Sequence, residues 1–308
     1  MPMAERRKMF FKRVNQQKFH LLALLPFLVY LGVFRYWPMY GVTIAFRDFR
    51  FRHGIMGSEW VGLRYFEMFV RSPSFNRVLV NTLAMSLLSL FFVTTLSITL
   101  AILICETRHL IFKRVVQTVS YLPHFISWVV VCGMTMMLFS IDGGPVNNIL
   151  MALRLTRSPI HFLDGNMIWG MITSLVVWKS IGWGSIIYIA SITSIDPGMF
   201  EAAIIDGAGK FKQILHITLP SIMPTIVILF IFQLGHLLHA GFEPQLFLRS
   251  PRNFQRIEVI DTYVFRYGLQ MFMYSYAAAV SLMRSVIGLF IVIVGNMFSR
   301  RVLKMGIF

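Results

Sequence analysis

Apolar residues in this chain come in long blocks, without the alternation of a half-buried strand or the three-and-four spacing of an amphipathic helix. Six blocks stand out, at residues 19–38, 79–105, 115–140, 167–191, 221–242 and 276–298. A helix rises about 1.5 Å per residue, so roughly 20 mostly apolar residues cross the hydrocarbon of a bilayer. Closed β-barrels also satisfy every backbone group in lipid, but their strands alternate polar and apolar residues and these blocks do not. The pattern predicts an all-α, polytopic membrane protein with six transmembrane helices.

Composition agrees. Hydrophobic residues make up 56% of the chain and charged residues 14%, against about 25% charged in soluble domains. Mean hydropathy is +0.68. Arg6, Arg7, Lys8, Lys12, Arg13 and Lys18 precede the first block, as in a secretory signal. No small-x-small cleavage site follows, and the run continues into Tyr36, Trp37 and Pro38, so the block reads as an uncleaved first span. The net charge of +16 is read as basic flanks meeting anionic lipid headgroups rather than as a nucleic-acid surface. Cys105 and Cys132 fall inside predicted spans, with no disulfide framework or metal spacing.

The simplest division is a cytoplasmic basic tail, 1–18, and one transmembrane domain, 19–308. By the positive-inside rule the tail is cytoplasmic, and six spans return the C-terminus, with Arg300, Arg301 and Lys304, to the same side. Arg108, Lys113 and Arg114 agree. Segment 47–77 does not: it should lie outside, yet carries Arg47, Arg50, Arg52, Arg64, Arg71 and Arg77. The outer segments, 47–78, 141–166 and 243–275, are expected to form short interfacial helices and turns.

The most informative stretch is the expected cytoplasmic loop 196–220, DPGMFEAAIIDGAGKFKQILHITLP. Asp196 suits a helix N-cap and Pro197 the first helical position. A short helix should run to about Asp206, with Gly207 supplying a left-handed break. A second short helix would carry Phe211, Ile214 and Leu215 on one face, and Pro220 would open the next span. Gly207-Ala208-Gly209-Lys210 imitates part of a phosphate-binding loop, but Ile204 and Phe211 stand where that motif needs Gly and Ser or Thr, and no strand precedes it.

Here the sequence resembles a known family. Glu201-Ala202-Ala203, Gly207, Ile217, Leu219 and Pro220 match the EAA loop of ABC importer permeases, and Asp206 and Ala208 match its sugar-importing branch. Tyr36-Trp37-Pro38, Gly41, Ile44-Ala45-Phe46, Trp60-Val61-Gly62-Leu63, Tyr121 to Trp128, Trp178-Lys179, Gly182-Trp183, Gly241-Phe242-Glu243, Asp261-Thr262-Tyr263 and Tyr274-Ser275-Tyr276 extend the resemblance, to LplB-type carbohydrate permeases, over nearly the whole chain. Pro244 and Arg284 depart from that pattern. The resemblance implies the type I ABC importer arrangement, with Glu201, Ala202, Ala203, Asp206, Gly207 and Ala208 as the positions that couple to an ATPase. It also implies a second, homologous permease forming a heterodimer, two ATP-binding cassette subunits carrying ATP and Mg, and an extracytoplasmic solute-binding protein. The chain itself would hold no cofactor and no metal, and would not be an enzyme.

Ionisable residues within a span are costly and usually face a pathway or a partner. Lys179 sits near the middle of the fourth span and Arg284 roughly 12 Å into the sixth. The spans show no deep Asp or Glu, so both cations look unpaired within the chain. One reading has them snorkel, bond backbone carbonyls or meet the second permease; the other has them line the pore for an anionic, uronate-containing oligosaccharide. Gln233, His236 and His239 share one helical face and, with Trp178 and Trp183, complete the candidate substrate pathway. Phe232 and Tyr188 could stack on sugar rings or simply pack. An ion-coupled secondary transporter would typically carry intramembrane carboxylates or broken-helix repeats, and an enzyme a catalytic constellation. Neither is evident.

Overall fold

The computed structural model describes residues 17–302; the basic side chains at 6–13 and Lys304 lie outside them. The architecture is all-α apart from one small hairpin. Helix α1 (Lys18–Leu31) continues through a π turn and a 3-10 stretch, so the first apolar stretch runs Lys18–Phe46, well past the expected end at 38. It lies against the bundle only near its end, where Ala45 is buried; Phe19 and Trp37 are 82% and 80% exposed. β1 (Arg47–Arg50) pairs antiparallel with β2 (Ser58–Trp60), and α2 (Arg64–Val70) follows. The sequence reading expected only helices and turns here.

The remaining spans are α3 (Phe75–Glu106), the pair α4 (Leu110–Tyr121) and α5 (Trp128–Leu138), α7 (Ile168–Thr193), α9 (Lys210–Gly235) and α11 (Tyr274–Val302). Between them lie α6 (Pro145–Ala152), α8 (Pro197–Ile205) and α10 (Ile260–Phe265). The expected third span, 115–140, is not one helix: segment Leu110–Phe125 meets Trp128–Leu138 at a bend of 97°. Pro123 lies just before this break, where the α-helix has already tightened into a 3-10 turn. Span five begins at Lys210, eleven residues earlier than expected, because Pro220 does not interrupt it. A π turn over Ile214–Thr218 precedes it and carries the helix up to the proline.

Small residues let the central helices approach closely. Ser97 Oγ donates to the Ile181 carbonyl at 3.1 Å, and a Cβ on Gly184 would lie 2.7 Å from that Oγ. This α3–α7 seam separates two cores. At one end Ala101, Tyr188, Ile192 and Ile222 pack together; at the other, Met85, Cys132, Ile168 and Ile172 pack against Leu248, Ile257 and Val259. Tyr188, a candidate for stacking on sugar, is 2% exposed and belongs to the first core. Both cysteines are free thiols.

Four of the six arginines that strained the charge rule hold carbonyls or carboxylates. Arg47 donates to the Met56 and Ser58 carbonyls at 3.0 and 2.9 Å. Arg50 pairs with Asp48 at 3.2 Å and Arg71 with Glu67 at 3.7 Å. Arg77 and Arg266 both grip Glu258, at 2.9 and 2.7 Å, and that carboxylate is fully buried. In the same segment, between the first and second spans, the Tyr65 hydroxyl donates to Asp48 at 2.7 Å; this bond holds the Asp48 carboxyl below the usual range, while burial pushes Tyr65 up to about 12.

Candidate functional site

The loop joining α7 to α9 is built as a rigid lever. Asp196 accepts a hydrogen bond from the Gly198 N–H at 2.9 Å, capping α8, and Pro197 takes the first helical position. The helix closes with a Schellman pair: Ala208 N–H donates to the Ala203 carbonyl at 2.8 Å and Gly207 N–H to that of Ile204 at 3.0 Å. Gly207 has φ of +72°, where a side chain is disfavoured. Buried Gln213 then donates to the Ala208 carbonyl at 2.8 Å, locking the break onto the first turn of α9. Lys210 pairs with Glu106 at 2.9 Å, tying that turn to the end of α3. No sequence signal marked Gln213 or Glu106, because their partners are set by the fold.

This lever is uncovered. Glu201, Ala202, Asp206 and Gly207 are exposed, with Ala203 and Ala208 half-buried. Ile205 is 86% exposed, and Phe211 77%. The second short helix expected after Gly207 is instead the beginning of span five. Phe211 and Leu215 lie exposed on it, with Ile214 half-buried.

A cavity of about 330 Å³ opens among α3, α5, α7 and the turn beyond α9. Gln233, His236 and His239 all line it, together with Ser86, Ser89, Trp128, Ser180 and Glu243. Gln233 accepts from Thr94 at 3.2 Å, and the two imidazoles lie 5.8 Å apart. Ser86 is buried and its Oγ has no hydrogen-bond partner among the described residues. Hydroxyl, amide and imidazole groups facing one space can exchange hydrogen bonds with a polar solute that also rests on an aromatic wall. Ser86 and Ser89, one turn apart in an apolar block, were a legible sign of this face.

The other candidates do not converge there. Trp178 faces the opposite side of α7 and lines a separate cavity of about 550 Å³ with Leu88 and Phe92. Trp183 shares a helical face with Val176 and Ser180 but stacks on His124, rings 4.5 Å apart and 5° from parallel. Lys179 donates to the carbonyls of Pro123, His124 and Ile126, at 3.3, 2.6 and 2.5 Å. The sequence reading found no acid for Arg284, and this is corrected: Arg284 bonds Asp261, which also lies 3.4 Å from His239 Nδ1. Asp261 was counted in the outer segment 243–275. The fold turns α10 inward, so its first-turn carboxylate reaches the sixth span.

Known proteins share this architecture. Residues 93–304 match the family described as the inner membrane component of binding-protein-dependent transport systems. The chain belongs to that family. This inner-membrane family consists of transport permeases, not enzymes. Among its relatives is protein LplB of Bacillus subtilis (strain 168), 39% identical over 96% of this chain and 92% of that protein. The polygalacturonan/rhamnogalacturonan transport system permease protein YteP of the same strain is also 39% identical, over 99% of this chain and 94% of its own. A chain in the crystal structure of a bacterial alginate ABC transporter, in complex with an alginate pentasaccharide-bound periplasmic protein, superposes with a TM-score of 0.88 at 36% identity, covering 96% of this permease and 99% of that chain.

Proposed function

We propose that this permease forms half of the translocation pathway of an ATP-driven oligosaccharide importer in a bacterial cytoplasmic membrane, with both termini cytoplasmic. A second, homologous but different permease completes the pore. Two ATP-binding cassette subunits bind ATP and Mg and grip the 196–220 loop. A solute-binding protein delivers sugar from outside, and alternating access follows the closing of the ATPases.

The observation that carries this reading is the exposed, internally braced helix α8. Its Glu201 carboxylate and apolar Ile204 and Ile205 stand free of the bundle, with both ends locked. An exposed apolar patch of this kind marks an interaction surface, and a rigid segment transmits a partner's displacement rather than absorbing it. Carbohydrate as cargo is supported by the relatives that handle polygalacturonan, rhamnogalacturonan and alginate and by the hydroxyl- and amide-lined cavity.

The test is reconstitution with the partner subunits. Loaded binding protein should stimulate ATP hydrolysis and drive uptake. Glu201→Ala should lower that stimulation at least tenfold while the complex still assembles, the loss expected when a desolvated charged contact is removed. Uptake at full rate without nucleotide would instead favour ion-coupled transport and overturn the reading.

A further inference from the structure

The break in the third span interrupts the helical hydrogen-bond ladder, leaving the Pro123 carbonyl a 3-10 bond from Ile126 N–H at 3.2 Å, and in lipid a carbonyl that loses its helical donor must find another. Lys179 supplies three. Its ammonium has three N–H groups, and its three acceptors are the carbonyls of Pro123, His124 and Ile126 at the break itself. The residue is 8% exposed. A cation also suits the negative end of the helical segment that stops there.

Two further residues of α7 hold the same point. A Cβ on Gly182 would lie 2.0 Å from the Ser120 carbonyl oxygen, so only glycine permits this approach. Trp183 lies flat on His124 and meets Phe125 edge-on at 5.9 Å. On the far side of the break Ser127 caps α5 through Val130 N–H, and Trp128 is the next residue. Its ring lies 5.5 Å from the Lys179 nitrogen and forms one wall of the 330 Å³ cavity.

We propose that Lys179, Gly182 and Trp183 are a clamp that fixes the broken third span and so positions Trp128, and that Trp128 rather than Lys179 is the side chain meeting the transported solute. Lys179 cannot serve a substrate anion without letting go of the His124 and Ile126 carbonyls, its two shortest contacts. Its positive charge is used to aim an aromatic platform, which accepts sugar rings whatever their charge. That the cavity is the sugar pathway rests on the function proposed above; the clamp does not.

The native Cys132, one turn beyond Trp128 and fully buried, reports the clamp without any ligand. In a Cys105→Ser background, in the assembled transporter in vesicles, Lys179→Met should speed maleimide labelling of Cys132 about tenfold or more, as expected when a packed segment opens locally. Lys179→Arg, which keeps charge and donors, should restore slow labelling. Labelling at the parent rate in Lys179→Met overturns the clamp. Should that variant fail to assemble, Trp183→Leu decides by the same criterion.

Uptake of a uronate pentasaccharide and a neutral glucose oligosaccharide, each supplied on a binding protein that accepts it, tests the platform. Trp128→Ala and Lys179→Met should each raise KM for both probes with little change in kcat, and the double variant should be no worse than Trp128→Ala, the non-additivity of residues acting as a unit. Selective loss of the uronate probe in Lys179→Met makes Lys179 a direct ligand and overturns the proposal. Failure of the unsubstituted transporter with both probes faults the pathway reading, while labelling still decides the clamp.

Discussion

The buried charges of this bilayer protein act through their partners, and the partner decides what each charge does. Glu258 shows this most clearly: a fully buried carboxylate held between Arg77 of α3 and Arg266, just after α10. Removing one member of such a group strands the others in low dielectric. Glu258→Gln is expected to destabilise the protein by about 3–5 kcal/mol, read as a lower melting temperature in detergent; an unchanged value would show that the arginines are solvated. Asn81, which bonds the Gln255 and Glu258 carbonyls at 2.9 Å, should keep the local backbone in place and make the loss electrostatic. Lys179 and Arg284 were visible as intramembrane cations from their positions alone. Backbone carbonyls were among the partners the sequence offered for Lys179, and three of them hold it; which three was not legible, because a carbonyl has no residue type, and the partner of Arg284 was missed because Asp261 looked extramembranous.

At the scale of elements, α8 was legible almost residue by residue, since Asp-Pro starts a helix and Asp-Gly stops one for local reasons. The start of span five was not. Pro220 looked like its first residue, but the π turn before it lets one helix run from Lys210 to Gly235. Span five therefore reaches back to the edge of the loop, and its joint with α8 is the three residues Gly207–Gly209. Gly207→Val puts a β-branched residue at φ of +72°, a strain of about 1–3 kcal/mol. It should uncouple the machine, with uptake falling at least tenfold while ATP hydrolysis stops responding to the binding protein. Normal stimulation in this variant would show that the left-handed break is dispensable.

For the whole molecule, the arrangement places the α8 lever and the hairpin at opposite ends of the bundle: the lever is tied to the last turn of α3 through Glu106, and the hairpin to the first turn of α11 through Ser275. An impermeant maleimide should label Ile205→Cys only in inside-out vesicles and Met56→Cys only in right-side-out ones; the reverse would remove the lever from any cytoplasmic ATPase. The long first span, almost wholly exposed in the isolated chain, has a surface that lipid or a neighbouring subunit covers in the membrane. The cavity is likewise a property of the assembled bundle, drawing its walls from α3, α5, α7 and the turn beyond α9.

Block length and local capping signals are one-dimensional quantities, and the features that depend on them are written along the chain. The number of apolar blocks, the helical class, the position of the exposed loop and the cap and stop of α8 come from hydropathy and φ preference over a few neighbouring residues. Packing in three dimensions was needed to show that the third span is broken by 97° and held by Lys179, that Asp261 neutralises Arg284, and that Trp128 rather than Trp178 joins Gln233 and the two histidines. These depend on contacts between residues far apart in the chain, where approach is set by small residues such as Gly182 and by carbonyls whose availability exists only once a helix has been broken.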